Sequence, residues 1–138
     1  MKTFFDASAF AKRYVEETGS QLVDDICVNA KELSISVICV PEIISALNRR
    51  VREKRLSHPD YDTIKQRLSA DVRDAVIVNL IPEVIVTSTK LLEASPLRAM
   101  DALHVACALV WGAELFVSSD KRQVTAAKKA GLKIKFIR

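Results

Sequence analysis

Four acidic residues, Asp6, Glu42, Asp101 and Asp120, interrupt or directly follow apolar stretches: MKTFFDASAF, ISVICVPEIISAL, RAMDALHVACALVW and ELFVSSD. Carboxylates are seldom fully buried without a partner, and an isolated ionised one in apolar surroundings is strongly penalised. Four such positions, spread from residue 6 to residue 120, point to one shared partner, with a divalent cation the leading candidate. Like-charged carboxylates also raise one another's pKa, so a cluster of them is costly without a cation. Oxygen-only ligands suit Mg²⁺ or Mn²⁺, with waters and substrate phosphate completing the shell. Such an ion activates water and stabilises charge developing on a phosphate. The chemistry implied is phosphodiester hydrolysis.

Each acid also has a plainer reading. Glu42 and Asp101 suit helix N-termini through the macrodipole. Asp120 suits the N-cap of a following helix, and Asp6 a cap on the turn after a first strand.

The pattern of elements decides whether the four can meet. KTFF (2–5) reads as a strand ending at Asp6, followed by a helical turn or two over 7–14 and a helix from Gly19–Ser20 to about Ala30. LSISVICV (33–40) is β-branched and predicts a second strand, with Pro41 opening a helix that carries Glu42 and runs into RRVREKR (49–55). A polar helix over 60–76, a short strand near 77–80 and a helix over 84–94 follow. Next come an apolar helix over 98–111 stopped by Gly112, a strand over 114–119, a helix over 121–130 closed by Gly131, and a last strand over 134–137.

Strands alternating with helices imply one domain over residues 1–138, a three-layer α/β/α fold with a mainly parallel central sheet. Ligands bind at the carboxyl ends of strands in such sheets. Asp6, Glu42 and Asp120 are therefore expected on that edge, each following a strand, while Asp101 arrives from the start of a helix.

Bulk properties set the frame. The 138 residues are 49% hydrophobic and 28% charged, which is globular rather than disordered. The net charge of +4 is compatible with a polyanionic partner without proving one. Cys27, Cys39 and Cys107 are far apart among apolar neighbours and read as buried free thiols of a reducing cytoplasm. No secretory signal or membrane-spanning stretch is visible.

These residues resemble the PIN domain, specifically the VapC-type ribonuclease toxins of prokaryotic toxin–antitoxin pairs. The matching pieces are FFDASAFAKRY (4–14), VPEIISAL (40–47), LRAMDALHVACAL (97–109) and FVSSDKR (116–122), in the family's order and spanning nearly the whole chain. The resemblance implies a PIN-like fold in which Asp6, Glu42, Asp101 and Asp120 hold Mg²⁺ or Mn²⁺. It further implies hydrolysis of RNA to a 5′-phosphate and a 3′-hydroxyl, a homodimer, and a small antitoxin that occludes the site. Ser118 matches a position where the family often carries threonine, and Ser8 is placed to help order the first acid.

Arg98, Lys121 and Arg122 flank the expected site and are candidates for phosphate contacts. Arg49 and Arg50, in the basic run 49–55, are candidates for gripping the RNA backbone. His104, three residues after Asp101, is read as a hydrogen-bonded structural histidine in preference to an acid or base. Trp111 reads as core or dimer interface.

A haloacid-dehalogenase-type phosphatase would need a second Asp where Ser8 stands, and a receiver domain an acidic pair within the first strand. No phosphate-binding glycine loop is present. The serious alternative is a catalytically inactive PIN-fold module that binds RNA or protein, against which the complete acidic set argues.

Overall fold

The computed structural model describes residues 1–138. The first apolar run forms β1 (Lys2–Phe5), and Asp6 then caps α1 (Ala7–Phe10), its Oδ1 accepting the Ala9 N–H at 3.0 Å. A 3-10 turn over Ala11–Arg13 completes this short helical stretch before α2 (Ser20–Asn29). Gly19, just ahead of α2, has φ +91°, and a Cβ there would stand 2.6 Å from Ile137 Cγ2 and 2.8 Å from the Arg138 carbonyl oxygen. The last residues of the chain therefore pack where only glycine leaves room.

The second strand is shorter than its apolar run, which corrects the expected 33–40 boundary. β2 spans Glu32–Ser36, and residues 39–41 already belong to α3 (Cys39–Arg52). β-branched side chains favour a strand, but the partner strand ends at Val78, whose carbonyl takes the Val37 N–H at 2.9 Å. With no further ladder to join, the chain turns into a helix. Pro41 sits inside the first turn of α3 rather than opening it. Its missing N–H costs nothing there, because the first helical N–H bond is the one Glu42 donates to Ile38 at 3.2 Å. Glu42 thus stands in the first turn of a helix, as expected, but further beyond the end of its strand than the sequence indicated.

Ser57 caps α4 (His58–Asp74), its Oγ accepting the Asp60 N–H at 3.1 Å, so that helix begins slightly earlier than its polar pattern indicated. β3 (Val76–Val78) leads to α5 (Pro82–Ala94), in which Pro82 occupies a first-turn position. α6 (Ala99–Trp111) stops at Gly112, whose φ of +82° is left-handed. β4 (Leu115–Ser118), α7 (Lys121–Lys129) and β5 (Ile134–Phe136) complete the chain.

The five strands lie in the order β3-β2-β1-β4-β5, with every pairing parallel. The chain winds outward from β1 through β2 and β3, then restarts on the other side with β4. The switch point is therefore the β1/β4 pair, and the crevice beyond its carboxyl ends is where an open parallel sheet binds ligands.

Successive residues of β1 face opposite sides. Phe5 packs with Phe10, Val23, Ile35, Ile43 and Leu68 in one core, whereas Phe4 packs with Val84, Val105, Ala106 and Phe116 in the other. β1 is thus buried on both faces, the three-layer arrangement that alternating strands and helices predict. An ion-pair clamp secures the outer helix α4. Asp71 accepts from Arg13 Nε at 2.9 Å and from the Tyr14 hydroxyl at 2.6 Å. All three cysteines are free thiols. No helix is long and apolar enough to cross a membrane.

Candidate active site

Asp6 sits at the end of β1 and is fully buried. Its Oδ1 accepts from the Ala9 N–H, and Ser8 Oγ lies 2.9 Å from Oδ1 and 2.7 Å from Oδ2. Ser118 Oγ donates to Oδ2 at 2.8 Å. Every one of these donors is neutral, and no lysine or arginine bonds this carboxylate. Burial pushes its pKa above the ordinary 3.8, against the lowering effect of nearby His104 and of the bonds from Ala9, Ser8 and Ser118.

Ser118, at the end of β4, also accepts the Asp120 N–H at 2.9 Å. One hydroxyl therefore couples the acid after β1 to the acid after β4. Ser8 reinforces this link by accepting the Ser119 N–H at 3.0 Å. Asp120 caps α7, its Oδ1 accepting the Arg122 N–H at 2.9 Å. The capping readings of Asp6 and Asp120 are thus both observed, and neither prevents these residues from lining a common space.

The two helix-borne acids are held by buried donors. His104 Nε2 makes a short contact with Glu42 Oε1, joining α6 to α3. Asp101 is only 7% exposed; its Oδ1 accepts from Gln123 Nε2 at 3.0 Å, and its Oδ2 lies 3.4 Å from Arg98 Nε. Asp101 and His104 lie one turn apart on α6, and Asp120 and Gln123 are similarly spaced at the start of α7. Each donor serves an acid from a different element, so the two bonds knit α3, α6 and α7 around one point.

All four acids line a single cavity of ≈ 470 Å³, together with Ser8, Arg49, Arg98, His104 and Gln123. Ser118 lies behind Asp6, fully buried. Of the expected RNA contacts, Arg49 and Arg98 reach the cavity. Arg50 does not line it; its Nη2 lies 3.8 Å from Glu17. Lys121 and Arg122 border a separate depression with Ser95 and Pro96. Gln123 is not singled out in the sequence; His104, read as a hydrogen-bonded structural histidine in preference to an acid or base, is bonded to Glu42. The available signal was spacing, since each stands three residues after a site acid and on the same helix face.

Whether these residues fit a cation can be judged from their chemistry. No three carboxylate, imidazole or thiol groups stand close enough to hold one ion together. The acids nevertheless offer oxygen donors on one cavity, and the buried Asp6 carboxylate has only neutral hydrogen-bond partners. Two buried polar atoms of cavity residues, His104 Nδ1 and Gln123 Oε1, have no protein partner. This set fits a hard ion bound directly by one or two carboxylates and otherwise hydrated, which is the habit of Mg²⁺.

The family model for the PIN domain matches residues 3–129. The chain belongs to the PIN-domain family. Within that family it is 30% identical over 133 residues to Ribonuclease VapC45 and, equally, to Ribonuclease VapC49, from two strains of Mycobacterium tuberculosis. Each alignment covers 95% of this chain and 92% of the relative. Solved structures share the architecture. The M. tuberculosis VapC20 toxin, described as cleaving the sarcin–ricin loop, matches with a TM-score of 0.69 at 15% identity, covering 94% of this chain and 95% of that one. VapBC2 from Rickettsia felis, bound to a promoter DNA fragment, matches with a TM-score of 0.71 at 12% identity over 100% of both chains. At those identities the likeness concerns the PIN fold, whose β1/β4 crevice here carries the acids.

Proposed function

We propose that this PIN domain is a divalent-metal-dependent endoribonuclease, using Mg²⁺ or Mn²⁺, and the toxin of a toxin–antitoxin pair. The observation that carries the reading is the arrival of four acids from four separate segments at one cavity beyond β1 and β4. The names of its relatives support RNA as the substrate. Solved neighbours that are toxin–antitoxin complexes support a small antitoxin as the protein partner, and the family supports a homodimer.

A divalent cation held among Asp6, Glu42, Asp101 and Asp120 would supply a lowered water pKa and positive charge against the phosphate in the transition state. The chain's own residues supply the rest. Asp6, locked by Ala9, Ser8 and Ser118, is a fixed anionic anchor that cannot swing away. Glu42 Oε2 and Asp120 Oδ2 have no protein hydrogen-bond partner, so they are the carboxylate oxygens free to take up a proton from the attacking water. Arg49 and Arg98 line the same cavity and offer charge-assisted hydrogen bonds to the phosphate. Water oxygen bonds to phosphorus as the bond to the 3′-oxygen breaks, and the departing 3′-oxygen takes a proton from solvent water, which leaves a 5′-phosphate and a 3′-hydroxyl.

The test is RNA cleavage with Mg²⁺ or Mn²⁺, comparing wild type with Asp6→Asn and Asp101→Asn. Cleavage by wild type, falling in both variants to the metal-free background, is the expected result. RNA binding by wild type with turnover no higher than that of the variants would sink the nuclease reading.

A further inference from the structure

Asp101, like Glu42, comes from a helix rather than from a strand end. Two groups touch its carboxylate. Arg98 is 81% exposed and its Nε stands 3.4 Å away, so solvent screens it and its side chain is weakly held. Gln123 is 3% exposed, and its Nε2 donates at 3.0 Å from α7. The buried amide is thus the firmer of the two holds.

Its chemistry suits that task. A neutral donor fixes the direction of a carboxylate without cancelling its charge, which a buried lysine or arginine would do. The other end of the same amide, Oε1, is buried without a protein partner. A buried acceptor left unpaired is costly, so the bond from Nε2 to Asp101, not the oxygen, holds the amide in place. Exchanging Oε1 and Nε2 would set the carbonyl against Asp101, so the amide's orientation follows from that contact.

We propose that Gln123 is a positioning residue of this site: its Nε2 aims the Asp101 carboxylate at the cavity. Gln123 touches neither the cation nor the RNA. It acts through Asp101. This inference rests on the acidic cavity being a cation site, as in the proposed function.

The test is Mn²⁺ binding by electron paramagnetic resonance on the whole protein without RNA, for wild type, Asp6→Asn, Gln123→Met and Gln123→Glu. Methionine keeps the length and burial while removing both polar atoms. The expected result is tight binding by wild type, loss in Asp6→Asn, and affinity weakened about tenfold or more in Gln123→Met. In RNA cleavage, the Mn²⁺ concentration for half-maximal rate should rise by the same factor, with a smaller fall in kcat at saturating Mn²⁺. Wild-type affinity in Gln123→Met would reduce Gln123 to a staple between α6 and α7 and overturn the proposal. Tighter binding by Gln123→Glu would make position 123 a ligand position and overturn it equally.

If the methionine variant does not fold, wild type alone decides. The Gln123 side-chain NH₂ resonances should move on Mg²⁺ titration and saturate with the affinity of the site; no movement overturns the proposal. Equal Mn²⁺ binding by wild type and Asp6→Asn would overturn both the cation site and the role of Gln123. Mn²⁺ binding that depends on Asp6, without any RNA cleavage, would sink the nuclease reading alone and leave Gln123 to be judged on affinity.

Discussion

His104 and Glu42, 62 positions apart, meet through Nε2 and Oε1 at the edge of the acidic cavity. Histidine is 1% exposed, whereas Glu42 is partly open to solvent, so a buried ring steers a carboxylate that faces water. His104→Leu should leave Glu42 free to rotate. The Mn²⁺ concentration for half-maximal RNA cleavage is expected to rise about tenfold or more, as for other groups that orient a metal-binding carboxylate. An unchanged metal dependence would show that Glu42 needs no such guide.

Asp6 gives a prediction about stability with its sign fixed. Burial raises its folded-state pKa above the ordinary 3.8, so the folded protein resists ionising it. Below the unfolded-state value there is no loss. As pH rises through that value toward the folded one, metal-free stability falls, and the loss persists at neutral pH. Asp6→Asn keeps an N-capping side chain and removes the charge. In EDTA at pH 7 its Tm should exceed that of wild type by about 2–8 °C, an advantage that shrinks near pH 3 and on adding Mg²⁺ to both proteins. A Tm below that of wild type in EDTA would contradict this account.

The Arg13–Asp71–Tyr14 clamp behaves oppositely. Burial acts to raise the Asp71 pKa, but the Tyr14 hydroxyl and the Arg13 guanidinium outweigh it and hold the carboxyl below 3.8. Its contribution is present above the unfolded-state value and is lost as pH falls through the folded one. Asp71→Ala should cost about 1–3 kcal/mol at pH 7, read by urea unfolding, with the difference closing on the acid side. RNA cleavage at 25 °C should stay intact, because Asp71 does not line the acidic cavity.

Gly19 tests the seat of the final residues. With φ +91° and Ile137 Cγ2 at 2.6 Å from where a Cβ would stand, Gly19→Ala is expected to destabilise by more than about 1 kcal/mol. A thermal or urea unfolding curve superimposable on wild type would show that this seat yields easily.

Arg49 and Arg98 separate from Arg50 in salt dependence. Each contact with a single-stranded phosphate contributes about −0.7 to the slope of log affinity against log salt. Binding of RNA to the cleavage-deficient Asp101→Asn background should lose about that much slope when Arg49 or Arg98 becomes Ala. Arg50→Ala should leave the slope unchanged, since Arg50 does not line the cavity. Equal effects from all three would mean that the RNA path runs elsewhere.

The sequence by itself determined the order of the elements and the identity of the acids. Strand ends are local: a β-branched or aromatic run broken by Asp6 or Asp120 announces where the chain leaves the sheet, and parallel strands bring those ends to one edge. It failed locally at 37–40, because a strand's length depends on its neighbour and β3 stops at Val78.

Tertiary structure alone decided which way the helices turn. Asp101 lies on α6 and could face several directions; packing of α6 against α5 and α7 fixes its rotation and brings the amide of Gln123 to its carboxylate. The same packing brings His104 to Glu42, while packing of α3 against α1 and α4 sends Arg49 into the cavity and leaves Arg50 outside it. Such contacts join residues far apart in sequence, and no local periodicity encodes them.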